Sequence, residues 1–114
     1  MSIAVFDIDG VVADVRHRLH HLHSHRSWAG FFRDADDDPL LDEGARLALE
    51  LAGRHEIIWL TGRPEWLREV TEGWLRRHEL PGTELHMRPD GDYRPAHSFK
   101  LTVLHRLAPR ELHA

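Results

Sequence analysis

Short apolar runs alternate along the chain with longer amphipathic segments. The first run, Ile3–Phe6, predicts a strand that is buried on both faces, and Ile57–Leu60 predicts a second one. We expect a third, shorter strand at Glu84–Met87. Because helical segments separate these runs, the pattern predicts a parallel sheet with right-handed crossover connections.

Apolar residues at helical spacing mark the connections between the strands. We expect a crossover helix from Asp42, with Asp42 itself as a possible N-cap. A second helix is predicted over about 65–78, and a last one over 97–107. The predicted architecture is a single α/β domain over residues 1–114, with a Rossmann-like, three-layer α/β/α parallel sheet.

Residues 14–41, between the first strand and the crossover helix, predict a small helical, cap-like insertion. Within it, Arg16–Ser24 predicts a short helix rich in histidine. Its histidines have a spacing that could bind Zn²⁺ or Ni²⁺: His17, His20 and His21, with His23 and His25 nearby. No acidic partner completes a set within that stretch, so we expect a polar helix face. The acidic run Asp34–Asp38 lacks the ligand spacing of a calcium loop, and we expect a solvated loop there.

Two groups of aromatic residues have two possible uses. Trp28, Phe31 and Phe32 could stack on a nucleobase, but aromatic residues usually pack, and we expect them to form the core of the insertion. Trp66 and Trp74 lie at helical core spacing, so we expect both in the main core.

Composition narrows the class of protein. The chain has 114 residues, no cysteine and a formal net charge of −4. Disulfides, thiolate nucleophiles and cysteine-based zinc sites are therefore excluded, and a reducing cytoplasmic location is expected. The net charge argues against a surface that coats nucleic acid, although arginines in one cleft could still bind phosphate. No long apolar span is present, so we expect no membrane partner; the oligomeric state is left open.

Polar side chains follow two of the predicted strands. Asp7 and Asp9 come directly after the first strand, and Thr61 and Arg63 come after the second. Burying carboxylates is costly unless a cation or a hydrogen-bond donor compensates, and ligands bind at the carboxyl ends of parallel strands. A Mg²⁺ ion suits such a pair, because it takes one or two carboxylates plus a substrate phosphate. Lys100, near the start of the last helix, could offset negative charge developing on that phosphate.

These blocks resemble three motifs of the haloacid dehalogenase-like phosphohydrolases. F-D-I-D-G-V-V resembles the first motif, W-L-T-G-R the second, and Lys100 the third. The resemblance implies that Asp7 is a nucleophile forming an aspartyl-phosphate, and that Asp9 protonates the leaving oxygen and then activates water. It also implies a Mg²⁺ cofactor, with Asp7 and Asp9 as metal ligands, and catalytic roles for Thr61 and Lys100.

A closer resemblance covers most of the chain. The run R-P-D-G-D-Y-R-P-A-H-S-F-K, Arg88–Lys100, is similar to a segment of the 3′-phosphatase domain of bacteriophage-type polynucleotide kinase/phosphatases. This family implies a phosphorylated nucleotide or nucleic acid 3′ end as the substrate and partner, in nucleic acid end repair. The residues that it implies for substrate binding are Arg18, Gly62, Arg63, Arg88 and Arg94.

The chain departs from the family pattern at two places. Ala96 stands where the family has an acidic residue four positions before the lysine, and no acidic pair of the fourth motif follows Lys100. The strand that should carry that pair would begin at about residues 111–114. We therefore expect a chain that is truncated at the C-terminus, lacks its last strands and leaves the first strand as an exposed edge.

Other functions stay open at this point. The substrate could be a small metabolite or a free nucleotide, or the chain could be an inactive phosphate-binding fragment without a complete metal site. Arg88 and Arg94 could simply pair with Asp90 or Asp92 on a surface loop. No phosphate-binding G-x-x-x-x-G-K-[ST] loop is present, so we predict no 5′-kinase activity from this chain.

Overall fold

In the computed structural model, which describes residues 2–23, 27–110 and 112–113, parallel strands form one sheet. The strands are β1 (Ile3–Phe6), β2 (Glu56–Pro64), β3 (Glu84–Arg88) and β4 (Leu112–His113), in the order β3-β2-β1-β4. The predicted strands are confirmed. β2 is longer than expected, because it continues through the Thr-Gly-Arg-Pro segment to pair with Arg88 of β3.

The central strands are buried on both faces, as their apolar runs predict. Side chains alternate across a strand, so neighbouring residues enter different cores. Ala4 and Ile57, which are paired across β1 and β2, lie in one hydrophobic cluster. Ile3 and Ile58 lie in a second cluster on the opposite face. The sheet is therefore the middle layer of three.

Helices form the two outer layers. Their bounds are α1 (His20–His23), α2 (Trp28–Arg33), α3 (Asp42–Leu51), α4 (Arg68–Arg77) and α5 (Ala96–Leu107). α3 and α4 supply Ala48 and Trp74 to the first cluster, and α5 supplies Phe99 and Val103 to the second. The three-layer α/β/α prediction is confirmed. No helix in the described ranges is long and apolar enough to cross a lipid bilayer.

Two predicted helix starts differ in the structure. Leu41, with extended backbone angles, occupies the N-cap of α3, and Asp42 is already helical. The predicted N-cap is therefore wrong, although an acid in the first turn still suits the helix dipole. The second crossover begins with a 3₁₀ turn at Glu65–Leu67 before α4 starts at Arg68.

The insertion leaves and rejoins the sheet at one point. An antiparallel bridge joins Ala13 to Leu40, and the Asp14 N–H donates to the Pro39 carbonyl at 2.9 Å. The predicted helix Arg16–Ser24 is instead a 3₁₀ turn over 16–18 followed by α1; Ser24 and His25 lie outside the described residues. The segment thus forms a small helical unit above the carboxyl end of the sheet.

The expected exposed edge of β1 is partly covered. β4 pairs in parallel with its first half, Ile3 with Leu112 and Ala4 with His113. Within the described chain, Val5 and Phe6 have no strand partner on that side. The prediction of a bare edge is therefore wrong for the first two residues of β1, because the chain turns back through a 3₁₀ turn at Ala108–Arg110. Glu111 and Ala114 lie outside the described residues.

Candidate active site

Asp7 and Lys100 meet at the carboxyl end of β1. The Lys100 Nζ atom, on α5, lies 2.5 Å from Oδ2 of Asp7. The other oxygen of Asp7 accepts a hydrogen bond from the N–H of Ile8 at 2.8 Å. Lys100 is 93 residues from Asp7 in the sequence, so the fold itself creates this pair. Both predicted site residues therefore lie together at the edge where parallel sheets bind ligands.

Two arginines hold Asp9 from one side. Arg63, at the end of β2, donates to Oδ1 of Asp9 from Nε at 3.0 Å and from Nη2 at 2.7 Å. Arg18, in the insertion, donates to the same oxygen from Nη2 at 3.2 Å. Both guanidinium side chains are 0 % exposed. The structure thus places Arg18 and Arg63 beside the second acid, with their charges already engaged.

Asp38 is a member of this site that the sequence analysis missed. It was expected in a solvated loop, but its side chain is fully buried and accepts hydrogen bonds from Arg18 at 2.8 and 2.9 Å. Arg63 also donates to it, at 3.2 Å. The solvated-loop prediction is wrong at Asp38, because two buried guanidinium groups need an anion within the protein. The backbone of Asp38 is fixed by a hydrogen bond from the Trp74 indole at 2.9 Å.

No local pattern in the sequence points to Asp38. The predicted site contained five cations, Arg18, Arg63, Arg88, Arg94 and Lys100, against two acids, and Asp38 reduces this excess without balancing it. The rest of the acidic run does take part in contacts, since Asp34 pairs with His21 and Asp36 pairs with Arg77. The aspartates of this acidic run therefore pair with different residues.

The two arginines are also held by neutral groups. Arg18 donates to the Phe31 carbonyl at 3.1 Å, and its guanidinium carbon lies 4.2 Å from the centre of the Phe31 ring. Arg63 donates from Nη1 to the hydroxyl of Thr71 on α4 at 3.1 Å. These contacts tie the insertion and α4 to Asp9. Both arginines are therefore positioned as fixed parts of the site.

Thr61 and Gly62 lie in the last part of β2, where its register with β3 shifts between Leu60 and Pro64. Thr61 is buried, and its hydroxyl accepts a hydrogen bond from the N–H of Arg63 at 3.2 Å. A Cβ added at Gly62 would lie 3.5 Å from Ala96 and 3.6 Å from Nη2 of Arg88. These distances are ordinary van der Waals contacts, so Gly62 lies next to Arg88 at the end of β3 and Ala96 at the start of α5.

Arg88 and Arg94 have different surroundings. Nε of Arg88 is the one buried side-chain polar atom without a hydrogen-bond partner in the described part of the chain. Arg94 is mostly exposed and donates to Asp92 from Nε at 3.0 Å and from Nη2 at 2.8 Å. The Arg94 guanidinium lowers the pKa of Asp92 to about 2. The structure brings Arg88 to the site and leaves Arg94 in a local pair on the following loop.

The burial of the aromatic residues differs from the prediction. Trp74 and Phe31 are buried, as expected. Trp28 is 59 % exposed and Trp66 is 56 % exposed, so the expectation that both are core residues is wrong. Trp66 lies in the 3₁₀ turn before α4, where the 3.6-residue spacing that directs Trp74 inward does not apply.

Histidines of the insertion contact acids from outside their own stretch. His17 Nε2 lies 2.6 Å from Asp38, and His21 Nε2 lies 2.6 Å from Asp34. His21 also lowers the pKa of Asp34 through this hydrogen bond. Ligand atoms of His20, His21 and Asp34 lie within 4.8 Å of one another, a geometry that could hold a metal ion. The acidic partner comes from outside the histidine stretch, because Asp34 folds back onto the helix.

Charge and donor type show what the site could bind. Within the described residues, three carboxylates and three cations make its contacts: Asp7, Asp9, Asp38, Lys100, Arg18 and Arg63. The formal charges of these six residues cancel and Arg88 adds one positive charge, so a phosphate dianion would still bring an excess of negative charge. The side chains of Asp7 and Asp9 are 35 % and 29 % exposed, and carboxylate oxygens are ligands that Mg²⁺ prefers. Asp7 and Asp9 therefore fit a Mg²⁺ ion.

The fold and these motifs together define a class of protein. A parallel α/β/α sheet with two acids after β1, a Thr-Gly-Arg segment at the end of β2 and a lysine on α5 is a haloacid dehalogenase-type domain. A family profile described as "Polynucleotide kinase PNKP phosphatase domain" matches residues 1–110. The chain belongs to that family.

Solved structures support the fold. The chain is similar to one in "Structure of Pnkp1/Rnl/Hen1 complex", with 24% sequence identity, 91% of this chain and 33% of that chain covered, and a TM-score of 0.72. It is likewise similar to one in "Structure of the Pnkp1/Rnl/Hen1 RNA repair complex", with 24% identity, 92% and 31% covered, and a TM-score of 0.74. The chain thus spans about a third of these solved chains. No curated protein matches it.

Proposed function

We propose that the chain is a Mg²⁺-dependent phosphomonoester hydrolase that works through a phosphoenzyme on Asp7. The contact between Asp7 and Lys100 at the carboxyl end of β1 carries this proposal. A nucleophilic carboxylate needs a nearby cation while a phosphate anion approaches, and Lys100 lies where it can contact both. Family membership supports a phosphatase, and the remaining steps rest on the site geometry.

The proposed reaction has two displacements at phosphorus. A carboxylate oxygen of Asp7 attacks, the bond from phosphorus to the ester oxygen breaks, and Asp9 gives its proton to the leaving oxygen. Water then attacks the aspartyl-phosphate, Asp9 takes the proton from that water, and the Asp7 carboxylate and inorganic phosphate are released. A Mg²⁺ ion held by the Asp7 carboxylate, and by Asp9 through an oxygen other than the Oδ2 that carries the proton, would offset the negative charge of the phosphoryl group. The hydroxyl of Thr61 and the ammonium group of Lys100 bind the phosphoryl oxygens.

Arg18 and Arg63 act by positioning Asp9. Both donate to Oδ1, and no described residue donates a hydrogen bond to Oδ2. Oδ2 is therefore left for proton transfer to the leaving group and from water. Because both arginines already contact carboxylates, we assign them this positioning role and not primary phosphate binding.

The proposed substrate is a 3′-phosphate of a nucleotide or a nucleic acid end. Arg88 is the arginine that we assign to the substrate phosphate or nucleotide, since its Nε has no partner and Gly62 lies beside it. Arginine suits phosphate because it can donate two parallel hydrogen bonds. Arg94 would reach the substrate only by leaving Asp92. We retain it as a secondary contact at the mouth of the site.

Nucleic acid end repair is the setting that we propose. One similar solved structure is described as an RNA repair complex, and both contain Rnl and Hen1 by name. By extension, this chain would work beside other end-processing activities in a reducing cytoplasm. A kinase or ligase activity would have to come from other protein segments, because the chain has no phosphate-binding loop of the kinase type.

Phosphate release tests the proposal. The substrates are a 3′-phosphorylated oligonucleotide and a 3′-mononucleotide, each with Mg²⁺ or with EDTA. We compare the wild-type chain with Asp7→Asn and with Asp37→Asn, an exposed acid outside the site. The expected result is Mg²⁺-dependent release that Asp7→Asn abolishes and Asp37→Asn retains. The ratio of the two substrates separates a polynucleotide phosphatase from a nucleotide phosphatase.

Two outcomes would contradict the proposal. Phosphate release that persists in Asp7→Asn would show that Asp7 is not the nucleophile. No release, together with binding of a phosphate analogue such as vanadate, would instead favour a phosphate-binding module. The same comparison on a generic phosphomonoester detects a phosphatase that acts on other metabolites.

A further inference from the structure

An aromatic cleft opens beside the candidate active site. It has a volume of about 570 Å³ and lies between α2 and the loop that follows β3. Trp28 and Phe32 line it from the insertion, and Trp66 and Tyr93 line it from the main domain. The catalytic scheme above uses none of these four side chains.

Trp28, Trp66 and Tyr93 are exposed, and Phe32 contacts both tryptophans. Trp28 and Phe32 are stacked at an interplanar angle of 29°, with ring centres 5.8 Å apart. Phe32 meets Trp66 edge to face at 5.9 Å, which joins the insertion to the main domain. Tyr93, in the loop after β3, is 93 % exposed. Flat, exposed rings of this kind are the surfaces on which nucleobases stack.

The cleft is continuous with the phosphate-binding end of the site. Gly62 and Arg88 belong to its lining. Gly62 lies between Thr61 and Arg63 in β2, and Arg88 carries the unpartnered Nε atom. A phosphate held at Asp7 and Lys100 would therefore leave the rest of the substrate pointing along a channel that begins at Gly62.

The charged residues of the cleft determine which part of a substrate it can bind. Asp90 and Asp92 also line it, in the same loop as Tyr93. A carboxylate repels a phosphodiester, but it accepts hydrogen bonds from the amino groups of a base. Asp90 is also fixed in place, because its Oδ1 accepts the N–H of Trp66 at 3.1 Å. These carboxylates therefore suit a flat, uncharged base, while Arg88 in the same lining suits the phosphate.

We propose that this cleft binds the nucleobase of the terminal nucleotide, in contact with Trp28 and Trp66, while its 3′-phosphate lies at Asp7. Because Trp28 is nearly parallel to Phe32 and Trp66 is nearly perpendicular to it, the base stacks on one of the two tryptophans and meets the other edge to face. This subsite makes the substrate a nucleoside 3′-phosphate, either free or at a polynucleotide end. The inference rests on the proposed function for the phosphate alone. Recognition of the base rests on the aromatic cleft and can be measured without any turnover.

A binding experiment tests the cleft independently of catalysis. Adenosine, which has no phosphate, is titrated against the protein while tryptophan fluorescence is recorded. Trp59 and Trp74 are buried, so quenching should come from Trp28 and Trp66. We expect quenching that saturates in the wild-type chain and that weakens about ten-fold in affinity in Trp28→Ala or Trp66→Ala, since stacking on aromatic residues is of that order. Trp66→Phe should restore binding.

A kinetic experiment tests the same cleft in turnover. The specificity ratio is kcat/KM for adenosine 3′-phosphate divided by kcat/KM for ribose 3-phosphate, which has no base. The ratio should fall about ten-fold in Trp28→Ala and Trp66→Ala. Leu49→Ala, which removes an exposed apolar side chain from α3, should leave it unchanged.

The outcomes separate the two proposals. Loss of turnover on both substrates, with adenosine still bound at Trp28 and Trp66, would overturn the phosphatase and keep the base subsite. Turnover with an unchanged specificity ratio in both tryptophan variants would overturn the base subsite and keep the phosphatase. Adenosine binding that is insensitive to both variants would also overturn it. Comparison of adenosine 3′-phosphate with a 3′-phosphorylated oligonucleotide then tells free nucleotide from polynucleotide.

Discussion

Arg63 donates two hydrogen bonds to one oxygen of Asp9, from Nε at 3.0 Å and from Nη2 at 2.7 Å. The same Nη2 atom also reaches Asp38 at 3.2 Å. Asp9 is therefore not an independent acid at the end of a strand. It is one end of a buried ionic chain that continues through the guanidinium group to Asp38 in the insertion.

Asp38 should be required for stability as well as for activity. In Asp38→Asn, two buried guanidinium groups lose a compensating anion, and breaking a buried ion pair costs about 3–5 kcal/mol. We expect the free energy of unfolding, measured by urea denaturation, to fall by about that amount. Phosphate release should also fall, because Arg18 and Arg63 would no longer hold Asp9.

The control for this variant is Asp37→Asn, one residue earlier and exposed to solvent. It should change the free energy of unfolding by less than about 0.5 kcal/mol, as surface substitutions do. If Asp38→Asn were as stable as Asp37→Asn, the buried ionic chain would not be a determinant of the fold. Activity measured well below the midpoint of each variant distinguishes lost positioning from simple unfolding.

The difference between Asp38 and Asp7 explains what the sequence could reveal. Asp7 follows an apolar run directly, so its place at a strand end is a local property of the sequence. Asp38 acquires its role from Arg18 and Arg63, which are 20 and 25 residues away in the sequence. No local pattern encodes such a contact. The strands and first acids were therefore predictable, and the ionic chain between them was not.

The aromatic residues also show a limit of prediction from the sequence. Helical spacing predicted burial for both Trp66 and Trp74, yet only Trp74 lies within α4. The start of the regular helix at Arg68 depends on the long β2 strand, which carries the backbone as far as Pro64. Because the predicted start of this helix was a few residues too early, Trp66 was predicted as a core residue, although it lines the cleft.

Lys100 should contribute to catalysis through the charge and the length of its side chain. Lys100→Met keeps a side chain of similar length without the ammonium group that contacts Asp7. We expect kcat for phosphate release to fall about 10²–10³-fold, the usual effect of removing one group that stabilises transition-state charge. Lys100→Arg should restore part of the rate. A Met variant with an unchanged kcat would show that the pair with Asp7 is only structural.

Gly44 is the glycine that the packing around the site requires. A Cβ at Gly44 would lie 1.8 Å from the carbonyl oxygen of Val11, in the loop that carries Asp9. Gly44→Ala must therefore move α3 or that loop, and overpacking of this kind costs about 1–3 kcal/mol. We expect a lower urea midpoint and reduced phosphate release, because the displaced loop includes Asp9.

Gly73 provides a matched control in the second crossover helix. A Cβ there would meet nothing closer than Nη2 of Arg76 at 3.8 Å. Gly73→Ala should thus stabilise the protein by about 0.5–1 kcal/mol, since alanine loses less backbone entropy in a helix. Both variants gain the same helix propensity, so opposite changes in stability would isolate the clash at Gly44. Equal changes would contradict it.

Two exposed Asp-x-Arg turns, Asp14 with Arg16 and Asp92 with Arg94, should titrate independently. Hydrogen bonds from the arginine lower the pKa of each aspartate from 3.8 to about 2. Arg94→Gln should therefore raise the pKa of Asp92 toward 3.8 and leave that of Asp14 near 2, and Arg16→Gln should do the reverse. Carbon-detected NMR titration of the two carboxyl groups measures both values in one sample.

The sign of the stability effect follows from the direction of these pKa shifts. A pKa that is lower in the folded state stabilises the protein above the ordinary value, and this contribution disappears as the pH falls from about 4 to 2. In Arg94→Gln, the acid-induced loss of stability should therefore become shallower over that range. If the pKa of Asp92 stayed near 2 in this variant, Arg94 would not be engaged in the loop pair. Its guanidinium group would then be free to bind the substrate phosphate directly.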